Sequence, residues 1–232
     1  MNVLIVYGTT EGQTRKIAEW TATHIRERGH QAEQRDSAAL ASDLDLDPYD
    51  AFIIAASVHQ EYHQETITNF VIAHREALGT KPSAFISVSL SAVLEGARTE
   101  AQKYVDSFIS VSGWQPRRIL LLGGALRFTE YDYFQEQIVK FIVMKRESAA
   151  SPERDREFTD WNALAGFVDG FLEAAAEPRS GQSRSGARPL GRPLGRTAMI
   201  APGTRQTYRS RSQRSAWERI VLQNAIDGDG EA

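Results

Sequence analysis

The 232-residue chain contains no cysteine. Disulfides, thiolate zinc sites, iron–sulfur clusters and cysteine nucleophiles are thereby excluded together, and a reducing cytoplasm suits such a sequence. No apolar run approaches the roughly 20 residues of a spanning helix. The opening run Val3-Leu4-Ile5-Val6-Tyr7 follows no basic leader and is too short for a signal peptide, so any membrane contact is expected to be peripheral. Histidine is scarce as well. His59 and His63 stand four apart with no third ligand type evident nearby, so no metal site is expected.

What is present divides into two unlike parts. Residues 1–177 hold 17 Lys and Arg against 26 Asp and Glu, a net −9, whereas residues 178–232 hold ten Arg against four acids, a net +6. A shift this abrupt marks a boundary near Pro178. The second part is rich in Arg, Ser, Gly and Pro, with the short repeat Arg188-Pro189-Leu190-Gly191-Arg192-Pro193-Leu194-Gly195-Arg196. Little there can bury apolar surface, so a basic, disordered tail is expected over 178–232, apart from a short amphipathic stretch around Trp217, Ile220 and Val221.

The first part alternates strand and helix patterns. Val3–Tyr7, Ala51–Ala56, Ala84–Val88 and Ile119–Leu122 are short apolar runs of the kind buried on both faces of a parallel sheet. A weaker strand is expected at Gln31–Arg35. Helical spacing covers Thr14–Arg28, Gln64–Leu78 and Thr99–Val111, the last with Tyr104, Phe108 and Val111 on its apolar face. A final helix carries Trp161, Leu164, Val168 and Leu172 behind a Thr159 cap. Strands alternating with helices predict a doubly wound α/β fold with five parallel strands in the order 2-1-3-4-5 over residues 1–177.

Ligands of such folds sit beyond the carboxyl ends of the strands. The first end is the loop Thr9-Thr10-Glu11-Gly12-Gln13-Thr14, which runs into a helix. Gly12 permits a tight turn, the threonines supply hydroxyls, and the helix start supplies free N–H groups for an anion. The loop is neither Gly-x-Gly-x-x-Gly nor a Gly-Lys-Ser/Thr nucleotide loop, which disfavours a dinucleotide or ATP. Read bare, it is either a phosphate cradle or a polar turn with a cap. It resembles the flavodoxin phosphate loop, Ser/Thr-x-Thr-Gly-x-Thr, with Glu11 in place of the middle threonine. An acid beside a phosphate is expected to point outward and serve through its backbone.

Further segments sharpen that resemblance. Thr9–Ala18, Ala55-Ala56-Ser57-Val58-His59, Pro82–Val88, Gly124-Ala125-Leu126-Arg127-Phe128 and Phe158-Thr159-Asp160-Trp161 follow one another as in the flavodoxin-like, menaquinone-dependent protoporphyrinogen dehydrogenases of bacterial heme synthesis. The resemblance spans about residues 1–175. It implies FMN as cofactor, protoporphyrinogen IX as substrate and menaquinone as acceptor. Thr9, Thr10, Glu11, Gly12, Gln13 and Thr14 would take the phosphate. Ser87, Val88, Ser89, Leu90, Ser91 and Ala92 would line the ring and ribityl chain. Gly123, Gly124, Ala125 and Leu126 would close the site, and Ser57, Val58, His59 and Tyr62 would flank the flavin, Tyr62 either stacking on it or merely covering the helix start. Relatives often carry glycine where Glu61 stands, so a backbone flip there is in question. Arg127 and His59 are the candidate catalytic residues, Arg127 as partner of a propionate or of reduced flavin.

Two regions bear on partners. Tyr131–Arg146 carries Phe134, Ile138, Phe141 and Ile142 beside Tyr and Lys/Arg, and reads either as a core-facing helix or as an interfacial helix that meets lipid, quinone or porphyrin; the resemblance favours the second, since it implies that this insertion separates these enzymes from plain flavodoxins. With the basic tail it points to an anionic membrane surface, hence to peripheral association with the inner face of the cell membrane. Nucleic acid attracts the same charge but is the weaker expectation. A flavodoxin-type electron carrier, another FMN-dependent quinone reductase and a binding protein that no longer turns over remain the rival readings.

Overall fold

The computed structural model describes residues 1–40, 44–94, 96–126 and 156–177. Residues Met1–Glu177 form one compact unit. The expectations for Tyr131–Arg146, Arg127 and the tail at 178–232 lie outside the described residues.

Five parallel strands appear where the apolar runs predict them: β1 (Asn2–Gly8), β2 (Gln31–Asp36), β3 (Ala51–His59), β5 (Ser83–Val88) and β6 (Arg118–Leu122). A two-residue strand, β4 (Tyr62–His63), comes between β3 and β5 in the chain. The parallel order is β2-β1-β3-β5-β6, the doubly wound order expected. β1, β3 and β5 lie at the centre, and Val3–Val6, Ala51–Ala56 and Ala84–Ile86 are essentially inaccessible to water. That explains their unbroken apolar sequence, since each strand has helices over both faces.

One face carries α1 (Gln13–Glu27) and the last helix, α5 (Trp161–Ala176), packed over Val3, Ile5, Ile53 and Ile86. The other carries α2 (Glu65–Ala73), α3 (Arg75–Thr80) and α4 (Arg98–Ser112), over Leu4, Val6, Phe52, Ile54 and Phe85. Each large side chain buried in this way contributes about 1.5–3 kcal/mol. α1 ends as expected near Gly29, whose N–H reaches the Arg26 carbonyl at 2.9 Å while the His30 N–H reaches Ile25 at 3.2 Å, the paired bonds of a Schellman turn. Beneath the sheet's other end, the Lys81 ammonium donates to the carbonyls of Leu46, Asp47 and Tyr49, tying the β2–β3 connection to the start of β5.

Four local expectations change. The pattern Gln64–Leu78 is two helices, broken at His74, although Ile67, Phe70, Val71 and Leu78 are all buried as read. Val111 is 64% exposed, because in the last turn of α4 the buried stripe passes through Val105, Phe108 and Ser112 instead. Asp160, not Thr159, caps α5: its carboxylate accepts from the Ala163 N–H at 2.9 Å. Finally, β3 runs past its apolar core into a hairpin. Val58 pairs with His63 and His59 with Tyr62 in antiparallel register. Its two turn residues, Gln60 (φ 49°) and Glu61 (φ 72°), both occupy the left-handed region that a two-residue hairpin turn demands. Glu61 thus adopts without glycine the backbone that glycine adopts most easily, at a cost of about 1 kcal/mol.

Candidate flavin site

The parallel strands bring four of the predicted segments to one edge. Thr9–Thr14 follows β1, Ser57–Tyr62 ends β3, Ser89–Ala92 follows β5, and Gly123–Leu126 follows β6. The site is therefore a product of topology: segments up to 120 or so residues apart meet because their strands end together.

The first loop is held from within and from both sides. Thr9 Oγ1 accepts the Gly12 N–H at 2.9 Å, and Gly12 itself takes φ 87°, a left-handed conformation that lets the chain turn directly into α1. On one side, Gln64 donates its Nε2 hydrogens to Thr10 Oγ1, at 3.0 Å, and to Ser57 Oγ. On the other, Gln13 Nε2 donates to Thr159 Oγ1 at 2.9 Å, and the Thr159 hydroxyl donates to the Gly123 carbonyl at 2.9 Å. Both struts reach the loop from other strand ends. Glu11 is half-buried.

Thr14 is fully buried in the first turn of α1, and its Oγ1 finds no partner among the described residues. A buried hydroxyl left in that state costs about 1–3 kcal/mol. It becomes intelligible if an anion is its partner, because the α1 N-terminus also offers free N–H groups and the positive end of the helix dipole. The neighbouring cations are already engaged: Arg15 with Asp36 at 3.4 Å and Lys16 with Glu157 at 2.5 Å. The loop thus fits a phosphate held by neutral donors. Ser89 Oγ, at the end of β5, is also a buried hydroxyl without a partner among the described residues, as is Thr21 Oγ1 farther along α1, while the Ser89 N–H is fixed on the Leu122 carbonyl at 3.0 Å.

Not every expected residue faces the ligand edge. Ser87 and Val88 are correctly placed along the chain, but their side chains lie in the cores: Val88 joins the α1/α5 face, and the Ser87 hydroxyl bonds His63 Nε2 at 3.0 Å. His63 is likewise turned inward, 8% exposed and set against the Phe85 and Phe108 rings. Burial pushes its pKa down to about 3 and favours the neutral imidazole, whose ring bonds Ser87 within the core. Tyr62, by contrast, is 57% exposed on the hairpin, and His59 opposite it is half-buried. Ser91 is buried and Leu90, Ala92 and Ala125 are half-buried; Gly123 and Gly124 are buried. Leu126 pairs through its backbone with Arg156, so that β7 (Ala125–Leu126) and β8 (Arg156–Glu157) form a small antiparallel ladder. Among the described residues no group of three or more His, Asp and Glu could hold a metal.

Gln64 and Thr159 were missed as site residues by the sequence reading. Gln64 offers only its place just after the β3 hairpin; Thr159 reads as a helix cap because its true partners lie 36 and 146 positions away.

Strand order and phosphate loop together define the class: a flavodoxin-type α/β domain, a fold that holds a flavin. The match to the flavodoxin domain model covers residues 4–153. Protoporphyrinogen IX dehydrogenase [quinone] of Escherichia coli K12 is 31% identical over 77% of this chain and 98% of its own length. The enzyme of the same name from Leishmania major is 27% identical over 76% and 78%. A solved structure of oxidised flavodoxin 2 from Bacillus cereus, 14% identical and covering 75% of this chain and 99% of that one, superposes with a TM-score of 0.47. The chain belongs to the flavodoxin domain family and, within it, to the family of the quinone-dependent protoporphyrinogen IX dehydrogenases. It is accordingly an oxidoreductase.

Proposed function

We propose that this chain binds FMN and oxidises protoporphyrinogen IX to protoporphyrin IX in heme biosynthesis, with menaquinone as acceptor. The observation that carries the cofactor is the buried, unpartnered Thr14 hydroxyl at the start of α1. The substrate and acceptor classes rest on the named relatives. When bound, FMN supplies the two-electron redox chemistry, and the protein supplies placement and electrostatics. Thr9, Thr10, Gly12, Gln13 and Thr14 bind the phosphate, with Ser57 from the end of β3. Ser89–Ala92 and Gly123–Leu126 orient the ring and ribityl chain, and exposed Tyr62 covers a ring face. Arg127, outside the described residues, is kept as the candidate partner of a propionate.

The proposal also sets the chain at the inner face of the cell membrane, where a lipid-soluble quinone resides. Its support is the net +6 of residues 178–232, and each basic residue near an anionic surface is worth up to about 1 kcal/mol. No helix among the described residues is long and apolar enough to cross a membrane.

The test is an anaerobic titration followed by turnover. FMN, not FAD, should bind at one per chain, and Thr14→Val should weaken it by about 1–3 kcal/mol. The loaded protein should then convert protoporphyrinogen IX only when a menaquinone analogue is supplied. FMN binding without porphyrinogen turnover would leave an electron carrier or another quinone reductase as the answer. Affinity unchanged in Thr14→Val would remove the loop assignment.

A further inference from the structure

We propose that Gln64 is a positioning residue that orders the Thr10 and Ser57 hydroxyls as hydrogen-bond donors to the cofactor phosphate. The inference rests on the FMN reading above and concerns how a loop whose two neighbouring cations, Arg15 and Lys16, are already paired selects an anion.

Gln64 is held at the start of α2. Its carbonyl accepts both the Thr68 N–H at 3.1 Å and the Thr68 hydroxyl at 3.0 Å. Its side chain makes no capping bond to its own helix. Instead the amide reaches back across Gly8, where an added Cβ would come within 3.0 Å of Gln64 Oε1. From there Nε2 meets Thr10 Oγ1 and Ser57 Oγ together. One residue thus links the phosphate loop after β1 to the end of β3.

Gln64 turns Nε2 to the two hydroxyls, while its Oε1 is buried without a partner among the described residues, and the direction of the bonds follows from that orientation. An amide nitrogen carries two hydrogens and accepts nothing; a hydroxyl has one hydrogen and two lone pairs. Once Thr10 and Ser57 accept from Gln64, their own hydrogens cannot point at it and are left for another acceptor. Thr9 is treated alike by the Gly12 N–H, which donates to its Oγ1 at 2.9 Å. Three hydroxyls beside the α1 N-terminus therefore turn their hydrogens outward before any ligand arrives. Because Arg15 and Lys16 are paired with Asp36 and Glu157, this ordering substitutes for charge. A site of neutral dipoles attracts a phosphate only if the dipoles agree in direction, and an ordered set loses little on binding.

Two substitutions separate ordering from packing. Gln64→Met keeps the length and removes the donors, leaving the hydroxyls free to rotate. Gln64→Glu keeps the shape but accepts where Gln64 donates, turning both hydroxyl hydrogens away from the ligand and adding a negative charge. The measurement is flavin fluorescence titration of the full-length, FMN-stripped chain with FMN and with riboflavin, which lacks the phosphate. The FMN-to-riboflavin affinity ratio should fall about tenfold in Gln64→Met and about a hundredfold in Gln64→Glu, while riboflavin affinity stays within about threefold of the parent. Equal losses for the two flavins would make Gln64 a packing residue and overturn the inference, as would a Glu variant no worse than the Met variant. If Gln64→Glu does not fold, the ratio in Gln64→Met decides alone. A parent chain that binds riboflavin as tightly as FMN would instead overturn the FMN reading itself, whatever the variants do.

Discussion

Acid should destabilise this domain in measurable part through His63. The ring is 8% exposed, lies between Phe85 and Phe108, and bonds the Ser87 hydroxyl. Burial lowers its folded pKa to about 3, against about 6.5 in the unfolded chain. Between those values the unfolded state binds the extra proton, so stability is complete above pH 6.5 and falls as the pH drops. The slope is about 1.4 kcal/mol per pH unit, which gives a loss of about 2 kcal/mol at pH 5. His63→Phe places a ring of similar size in the same aromatic surroundings and leaves the Ser87 hydroxyl unpaired, so it should be the less stable protein at pH 7.5 by about 1–3 kcal/mol. Its stability should nevertheless fall less on acidification. Urea unfolding of both proteins at pH 7.5 and pH 5 measures the difference of differences, and titrations common to both chains, including that of His74, cancel. Parallel losses in the two proteins would refute the reasoning, for the imidazole would then be charging in both states alike.

Two other perturbations follow from contacts already described. Gly123→Ala would set a Cβ 2.4 Å from the Phe158 carbonyl oxygen and 2.5 Å from Val93 Cγ1; because the first obstacle is backbone, the expected cost is about 2–4 kcal/mol in thermal or urea unfolding, and a loss under 1 kcal/mol would show that the closing segment moves freely. Removing residues 178–232 should preserve FMN content and turnover with a soluble acceptor but reduce sedimentation with anionic vesicles at low salt, the gap narrowing as salt is added; loss of FMN on truncation would make the tail part of the folded domain.

The strands were legible because their signal is local and strong. β1, β3 and β5 are buried on both faces, so each is an uninterrupted apolar word, and the loop after the first of them carries its chemistry in consecutive residues. The hairpin was not legible. Its turn, Gln60-Glu61, has neither glycine nor asparagine, although both residues adopt positive φ. Thr159 misled for another reason. A threonine before a helical pattern reads as a cap, yet its role is decided by partners remote in sequence, Gln13 and Gly123, just as the place of His63 is set by the remote Ser87. Residue type gave the capacity to bond, and only the strand order says with whom.

That same remoteness locates where an enzyme could diverge from an electron carrier. The chain leaves β6 and passes Gly123 and Gly124. It pairs Ala125–Leu126 with Arg156–Glu157, then enters α5. At this neck the Phe158 N–H holds the Gly124 carbonyl at 2.9 Å, the Thr159 hydroxyl holds Gly123, and Glu157 holds Lys16 on α1. Departure and return are therefore fixed to each other and, through Gln13, to the phosphate loop. Once the ends of a connection are fastened by such bonds, its length matters little: each doubling costs only about 0.6 kcal/mol in closure entropy. Residues 127–155 can thus change in length and composition without loosening the flavin loop. Their neck stands one hydrogen bond from Thr159 and two from Gln13. The stripe of Phe134, Ile138, Phe141 and Ile142 falls within this span. The bonds described for the loop of Thr9, Thr10, Gly12 and Gln13 are made within the loop and with Gln64 and Thr159, all outside that span.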